Sequence, residues 1–187
     1  MAKVQFSYHS SQMTDQNAAD FLLRCASIRV VVSDVDGTLT DGAMYYTPEG
    51  EAMKRFSAHD GMGVTLLQRS GIEVVFMTSD KTGIAKARGK KLGVNHILED
   101  IQDKSLYLNK IASSLQLPLS AFAYIGDDVN DEAPLKLCGV SACPNDAVPE
   151  VRKWAQYICR KNGGHGAFRE FAELILTAQK KPIIFSV

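Results

Sequence analysis

Ile28-Arg29-Val30-Val31-Val32-Ser33-Asp34-Val35-Asp36-Gly37-Thr38-Leu39-Thr40-Asp41 reads as a buried strand that runs straight into a loop carrying two carboxylates. A short continuous apolar run ended by polar and glycine residues is the pattern of a strand covered on both faces. An Asp-x-Asp pair alone says little, because hairpin turns and calcium loops use the same spelling. Here the pattern recurs. Val74 to Met77 precede Thr78-Ser79, Lys104 opens a helical stretch, and Phe122 to Ile125 precede Gly126-Asp127-Asp128-Val129-Asn130-Asp131.

Helical patterns separate these runs. Residues 1 to 13 are polar and unpatterned, and Thr14 is a cap for a helix reaching about Ala26. Tyr45-Tyr46 and Lys54-Arg55-Phe56 flank the turn-forming Thr47-Pro48-Glu49-Gly50, which predicts a hairpin over Ala43 to Phe56. Helices are predicted from Asp60 to Ser70, from about Thr82 to Leu92 and from Lys104 to Leu115, then over Glu132 to Leu137, Pro149 to Trp154 and Ala167 to Gln179. The strands between them are Ile72 to Met77, Val94 to Leu98, Phe122 to Ile125, Val140 to Ala142 and Tyr157 to Cys159. Strands spaced by helices imply right-handed crossovers and a mostly parallel sheet. The expected fold is α/β, Rossmann-like and doubly wound, with a β-hairpin flap and no large cap domain. The expected organisation is a tail and helix over 1–27, one domain over 28–180 and a short tail over 181–187.

A chain of 187 residues supports one sizeable core, and 45% apolar against 22% charged residues is ordinary for a globular domain. The formal net charge is zero and the basic residues are dispersed, so neither nucleic acid nor an anionic membrane is an expected partner. One local cluster, Lys86, Arg88, Lys90 and Lys91, departs from that dispersal. Cys25, Cys138, Cys143 and Cys159 show no C-x-x-C spacing, which argues for buried free thiols and against a structural zinc site. No segment approaches the roughly 20 apolar residues of a membrane span, and the N-terminus lacks a signal core, so a cytoplasmic location is expected.

In open parallel sheets ligands bind beyond the carboxyl ends of the strands, where Asp34, Thr78 and Asp127 all fall. Three carboxylates and a lysine there match the needs of phosphate ester hydrolysis. The ester is an anion that repels a carboxylate nucleophile, so a cation must cancel charge. Asp34 and Asp127 can offer oxygens to Mg²⁺, with the main-chain oxygen of Asp36 as a further ligand. Asp34 can attack phosphorus, and Asp36 can protonate the leaving oxygen and then activate water. Thr78 and the amides around Ser79 can hold phosphoryl oxygens. Lys104 supplies positive charge to the same oxygens, and either Asp128 or Asp131 can hold it in place.

These residues resemble the four motifs of the haloacid dehalogenase superfamily: Asp34-Val35-Asp36-Gly37-Thr38, Thr78, Lys104 and Gly126-Asp127-Asp128. The absence of a large insertion is similar to the capless branch. Within it, Asp41-Gly42, Phe56-Ser57-Ala58-His59-Asp60-Gly61, Ser70-Gly71-Ile72-Glu73-Val74 and Gly163-Gly164-His165-Gly166-Ala167-Phe168-Arg169-Glu170 resemble phosphatases of 3-deoxy-2-ulosonate sugar phosphates. The resemblance implies a homotetramer in which hairpins meet centrally and each site is completed by a neighbour. It also implies substrate binding by Asp36, Ser79, Asp80, Arg88, Lys91, Lys104 and the segment Ser57, Ala58, His59, Asp60 and Gly61.

Two substrate types follow from it. Eight-carbon octulosonate 8-phosphate enzymes typically carry arginines where this chain has Asp80 and Thr65, while Arg88 keeps a third. Asp80 and Lys91 look instead like the nine-carbon, sialic acid-related 9-phosphate enzymes. The eight-carbon reading ranks first on breadth of family membership. His165 stands where many relatives carry arginine, and as a loop residue it is read as surface. A catalytically silent tetramerisation domain ranks lower because Asp34, Asp36, Lys104 and Asp127 are all retained. An aspartyl-phosphate response regulator is disfavoured by Asp36-Gly37-Thr38 and Gly126-Asp127-Asp128.

Overall fold

The structure, a computed structural model, describes residues 15–184. The expected tail over 1–13, the cap Thr14 and residues 185–187 of the expected C-terminal tail lie outside the described residues. Helix α1 (Asp15–Ser27) and strand β1 (Val30–Ser33) lead into hairpin strands β2 (Thr40–Thr47) and β3 (Gly50–Phe56). There follow α2 (Ala58–Arg69), β4 (Glu73–Met77), α3 (Ile84–Lys91), β5 (His96–Leu98) and α4 (Lys104–Leu115). The rest is β6 (Phe122–Ile125), α5 (Glu132–Leu137), β7 (Val140–Cys143), α6 (Pro149–Trp154), β8 (Tyr157–Ile158) and α7 (Ala167–Ala178).

Six strands form one sheet in the order β5-β4-β1-β6-β7-β8, and every neighbouring pair is parallel. The chain winds from β1 out to β5, crosses back to β6 and winds the other way to β8. That reversal falls at β1, where loops leaving adjacent strands diverge and open a crevice at their carboxyl ends. The hairpin is a separate antiparallel pair that begins at Thr40, three residues before the expected start.

The continuous apolar runs are explained by cover on both faces. Val31, Val74, Phe76, Ala123 and Ile125 pack with Phe21, Leu67, Phe168, Phe171 and Ile175 from α1, α2 and α7. Val30, Val32, Val75, Met77, Phe122 and Tyr124 pack with Leu108, Ile111, Leu135 and Val151 from α4, α5 and α6. Each large side chain so buried stabilises the fold by about 1.5–3 kcal/mol, before the entropy of ordering is subtracted.

Two expected elements start two residues late. Helix α3 starts at Ile84 because Gly83, its cap, takes a left-handed φ of 80°. Strand β5 starts at His96, because the Val94 amide closes the preceding helix by donating to the Gly89 carbonyl at 3.0 Å.

Candidate active site

β1, β4 and β6 lie side by side, so Asp34, Thr78 and Asp127, each one or two residues past a strand, converge without any long excursion of chain. The Asp34 amide donates to the Ile125 carbonyl at 2.9 Å, which locks the loop after β1 to the end of β6. Gly37 then turns with φ 83°, and a Cβ there would lie 2.0 Å from Asp127 Oδ2. Only glycine allows the two acidic loops this approach. Gly163 seals the other side, since a Cβ on it would sit 1.7 Å from the Gly37 carbonyl oxygen.

Lys104, the first residue of α4, is buried beneath the loops. Its Nζ donates to Asp34 Oδ1 at 2.5 Å and to Asp131 Oδ1 at 2.6 Å. Asp131 is the keystone of the cluster: Oδ1 also accepts from the Tyr124 hydroxyl at 2.6 Å, and Oδ2 accepts from the amides of Asp127 and Asp128 at 3.0 and 3.3 Å. Of the two acids expected to hold Lys104, Asp131 does so. Asp128 instead accepts from the Val129 amide at 2.7 Å and caps a short 3₁₀ turn.

The electrostatics follow from burial of like charges. Burial, then the nearby Asp131 carboxylate, pushes Asp127 up to about 7, against the opposing Thr38 hydroxyl and Lys104. The same two influences raise Asp34 well above the carboxylate range despite contact with Lys104. For Lys104, burial favours the neutral amine, but Asp34 and Asp131 outweigh it and raise the ammonium above its usual value. Oxygens of Asp34, Asp127 and Asp131 lie within 4.8 Å of one another. A hard divalent cation would relieve their repulsion, and an all-carboxylate set suits Mg²⁺. Asp34 and Asp127 fit as ligands, whereas Asp131 already spends both oxygens on donors.

Above this layer, Asp36 accepts from the Thr78 hydroxyl through Oδ2 at 3.2 Å and meets Lys54 Nζ through Oδ1 at 2.7 Å. A cleft of about 380 Å³, the size of a small-molecule site, is lined by Asp34, Asp36, Thr78, Ser79, Asp80 and Asp127, with Met44, Tyr46 and Glu51 from the hairpin. Asp80 sits there with its carboxylate occupied: Thr82 donates its amide to Oδ1 at 3.1 Å and its hydroxyl to Oδ2 at 2.5 Å, and Lys54 lies 2.9 Å from Oδ2.

Several expected substrate contacts are not brought to this cleft within one chain. Ser57 caps α2 by accepting from the His59 amide at 3.1 Å, and Ala58 opens that helix. Asp60 is buried and accepts from the Gly166 and Arg169 amides at 3.1 and 3.0 Å, anchoring the start of α7. Arg88 donates to the Ser57 carbonyl at 3.2 Å and lies over the Phe56 ring, and Gly61 leaves it room. Lys91 is exposed on α3, and His59 lines a different depression with His165 and Arg169. His165 is exposed in its loop, as expected.

Sequence reasoning missed Lys54, Tyr124 and Thr38, whose hydroxyl donates to Asp127 Oδ1 at 3.1 Å. A hairpin lysine reads as solvated, and a strand tyrosine reads as core. Thr38 directly follows the glycine of the acidic loop, and that adjacency was the available signal.

A parallel sheet with three acids and a lysine gathered at its switch point defines a hydrolase of phosphate-like esters, and residues 76–171 match the haloacid dehalogenase-like hydrolase family. The chain belongs to that family. It is 37% identical over 164 residues to the 3-deoxy-D-manno-octulosonate 8-phosphate phosphatase KdsC of Yersinia pestis, covering 88% of each chain. Among solved structures, the octulosonate phosphatase of Moraxella catarrhalis, in complex with magnesium, phosphate and KDO, superposes with TM-score 0.84 at 35% identity, covering 86% of this chain and 92% of that one. The cobalt-bound enzyme from Haemophilus influenzae gives TM-score 0.82 at 32% identity, covering 84% and 92%.

Proposed function

We propose that this protein is a Mg²⁺-dependent phosphatase of 3-deoxy-2-ulosonate sugar phosphates, with 3-deoxy-D-manno-octulosonate (KDO) 8-phosphate as its substrate. The observation that carries this reading is the contact of buried Lys104 with Asp34, beside Asp127 and beneath a cleft whose wall includes Asp36. The relatives at 34–37% identity, named for that substrate, support it.

Asp34 and Asp127, with the main-chain oxygen of Asp36, would hold the metal, which when bound supplies positive charge for the phosphoryl oxygens. Asp34 attacks phosphorus and forms an aspartyl phosphate while the bond to the sugar oxygen breaks. Asp36 gives its proton to that oxygen, then takes one from the water that attacks the acyl phosphate, which restores Asp34 and releases inorganic phosphate. Lys104 balances charge on Asp34 and the transferring group, and Asp131 keeps it aimed. Thr78 orients Asp36 through the hydrogen bond described above. The catalytic unit spans residues 28–180, and a cytoplasmic location fits a chain with no helix, among the described residues, long and apolar enough to cross a membrane.

A homotetramer is part of the proposal. Met44, Tyr45, Tyr46 and Met53 are 49%, 47%, 67% and 62% exposed on the hairpin, a concentration of apolar surface that a neighbouring subunit would cover. Arg88, Lys91 and the segment Ser57 to Gly61 would then act across the subunit boundary. Asp80 in the cleft favours a second reading, a nine-carbon ulosonate 9-phosphate, because an acid there suits a polyol better than a carboxylate.

The test is phosphate release with Mg²⁺ from octulosonate 8-phosphate, nine-carbon 9-phosphates and an aryl phosphate, compared as kcat/KM. Asp34→Asn should abolish turnover of all three while leaving the far-ultraviolet dichroism intact. Equal turnover by wild type and Asp34→Asn would remove the covalent step, and preference for a nine-carbon ester would select the second reading.

A further inference from the structure

Lys54 has no part in the chemistry derived so far, yet its side chain is only 1% exposed although it lies on an outlying hairpin strand. Burying an ammonium group is costly unless it is paired, and Lys54 is paired with carboxylates from three places. Nζ lies 2.7 Å from Asp36 Oδ1 in the loop after β1, 2.9 Å from Asp80 Oδ2 in the loop after β4, and 3.3 Å from Glu51 Oε1 on its own hairpin. The Glu51 oxygen contributes charge but no aligned hydrogen bond. Burial opposes the charged form, and the Asp36 and Asp80 contacts outweigh it, so Lys54 stays cationic.

The consequence is geometric. Thr78 holds one oxygen of Asp36 and Lys54 holds the other, so the carboxylate plane is set by one residue from the loop after β4 and one from the flap. A group that must meet the sugar oxygen and later a water molecule gains from such fixing, because misplacement by about 1 Å can cost on the order of 10²-fold. Asp80 in turn fixes Lys54 from the far side. We infer that Lys54 is a positioning residue for Asp36, which ties the hairpin flap to the acid-base step and thereby makes turnover of poor leaving groups depend on the flap.

This inference rests on the reading of Asp36 as the acid and base, so both are tested together. Wild type, Lys54→Met, Lys54→Arg and Asp36→Asn are compared on octulosonate 8-phosphate, whose alkoxide needs a proton to leave, and on p-nitrophenyl phosphate, whose phenolate does not. Lys54→Met should lower kcat on the sugar phosphate about tenfold more than on the aryl ester, a part of the roughly 10²- to 10⁴-fold available to acid-base catalysis, with KM values moving less. Lys54→Arg, which keeps the charge, should recover part of the loss. Equal losses on both esters, or an effect confined to KM, would overturn the role of Lys54. If Asp36→Asn also shows no leaving-group bias, the reading of Asp36 falls too; if it alone shows the bias, only the Lys54 inference falls. Should Lys54→Met fail to fold, Asp80→Asn carries the test. It frees one side of the ammonium and should give the same bias more weakly, and equal losses there would overturn the inference.

Discussion

Replacing Asp131 by asparagine changes one oxygen to an amide group and should cost far more than that suggests. In the native protein Oδ1 faces the Lys104 ammonium and the Tyr124 hydroxyl, and Oδ2 faces the amides of Asp127 and Asp128. Every neighbour is a donor. With its oxygen toward Lys104, asparagine would point an NH₂ group at two backbone N–H groups, and the flipped orientation would set it against the ammonium. Hydrogen bonds to a charged group are worth about 1.5–3 kcal/mol each, so losing the two amide bonds costs about 3–6 kcal/mol. Some of this is returned, because Asp131 is a large source of the repulsion that raises Asp34 and Asp127. We expect a net loss of about 3 kcal/mol, measured by urea unfolding of the metal-free protein near pH 7.5. Catalysis should fall as well, since Lys104 loses its second carboxylate and with it the fixed line to Asp34. A loss under about 1 kcal/mol with wild-type turnover would refute the keystone role, because a carboxylate with two donors on each oxygen cannot be so cheaply replaced.

Asp127, raised to about 7, must lose its proton before it can bind a metal, so the Mg²⁺ concentration for half-maximal activity should rise about tenfold per pH unit below 7. A half-saturation independent of pH from 5.5 to 8 would contradict this. The same shift has a stability sign: a carboxyl raised in the folded state stabilises it fully below the unfolded value near 3.9, and that contribution is lost as pH rises through about 7. Tyr45 and Met53 form a cross-strand pair on the hairpin, so Tyr45→Lys with Met53→Lys should lower the assembled mass in light scattering, and an unchanged mass would count against hairpin-mediated assembly.

The β-α alternation was legible because strands covered on both faces need continuous apolar runs; Phe122 to Ile125 and Lys104 to Leu115 form with the expected limits. Asp34, Thr78, Lys104 and Asp127 were legible for a related reason. Each follows an apolar run or opens a helix, and a parallel sheet delivers such positions to one edge. What was illegible depends on contacts between distant segments. Asp60 stands in a run that resembles a substrate loop, yet its carboxylate anchors Gly166 and Arg169, 106 and 109 residues away. Lys54 lies in a polar hairpin whose periodicity gives no hint that its ammonium is buried among acids from two other loops. Gly83 could not be told from an ordinary helix residue until its φ was known, which is why α3 starts late.

The charge balance of the cleft supports the proposal that a neighbouring subunit completes the site. Asp34, Asp36, Glu51, Asp80, Asp127 and Asp128 line it and Asp131 lies beneath, while Lys54 and Lys104 are the cations in contact with them. Two like unit charges about 4 Å apart repel by about 4 kcal/mol near a protein surface, so an anionic phosphate ester entering this field as it stands would be turned away. A divalent cation held by Asp34 and Asp127 would remove part of that barrier. In the proposed function it would do nothing for the carboxylate of an ulosonate, for which the cleft offers Glu51 and an Asp80 already engaged by Lys54. Arg88 and exposed Lys91 are cations of the right chemistry, but α3 holds them away from their own cleft. In the proposed assembly they would serve a neighbour, so the flap that excludes water and the cation that recognises the substrate would come with the same subunit contact.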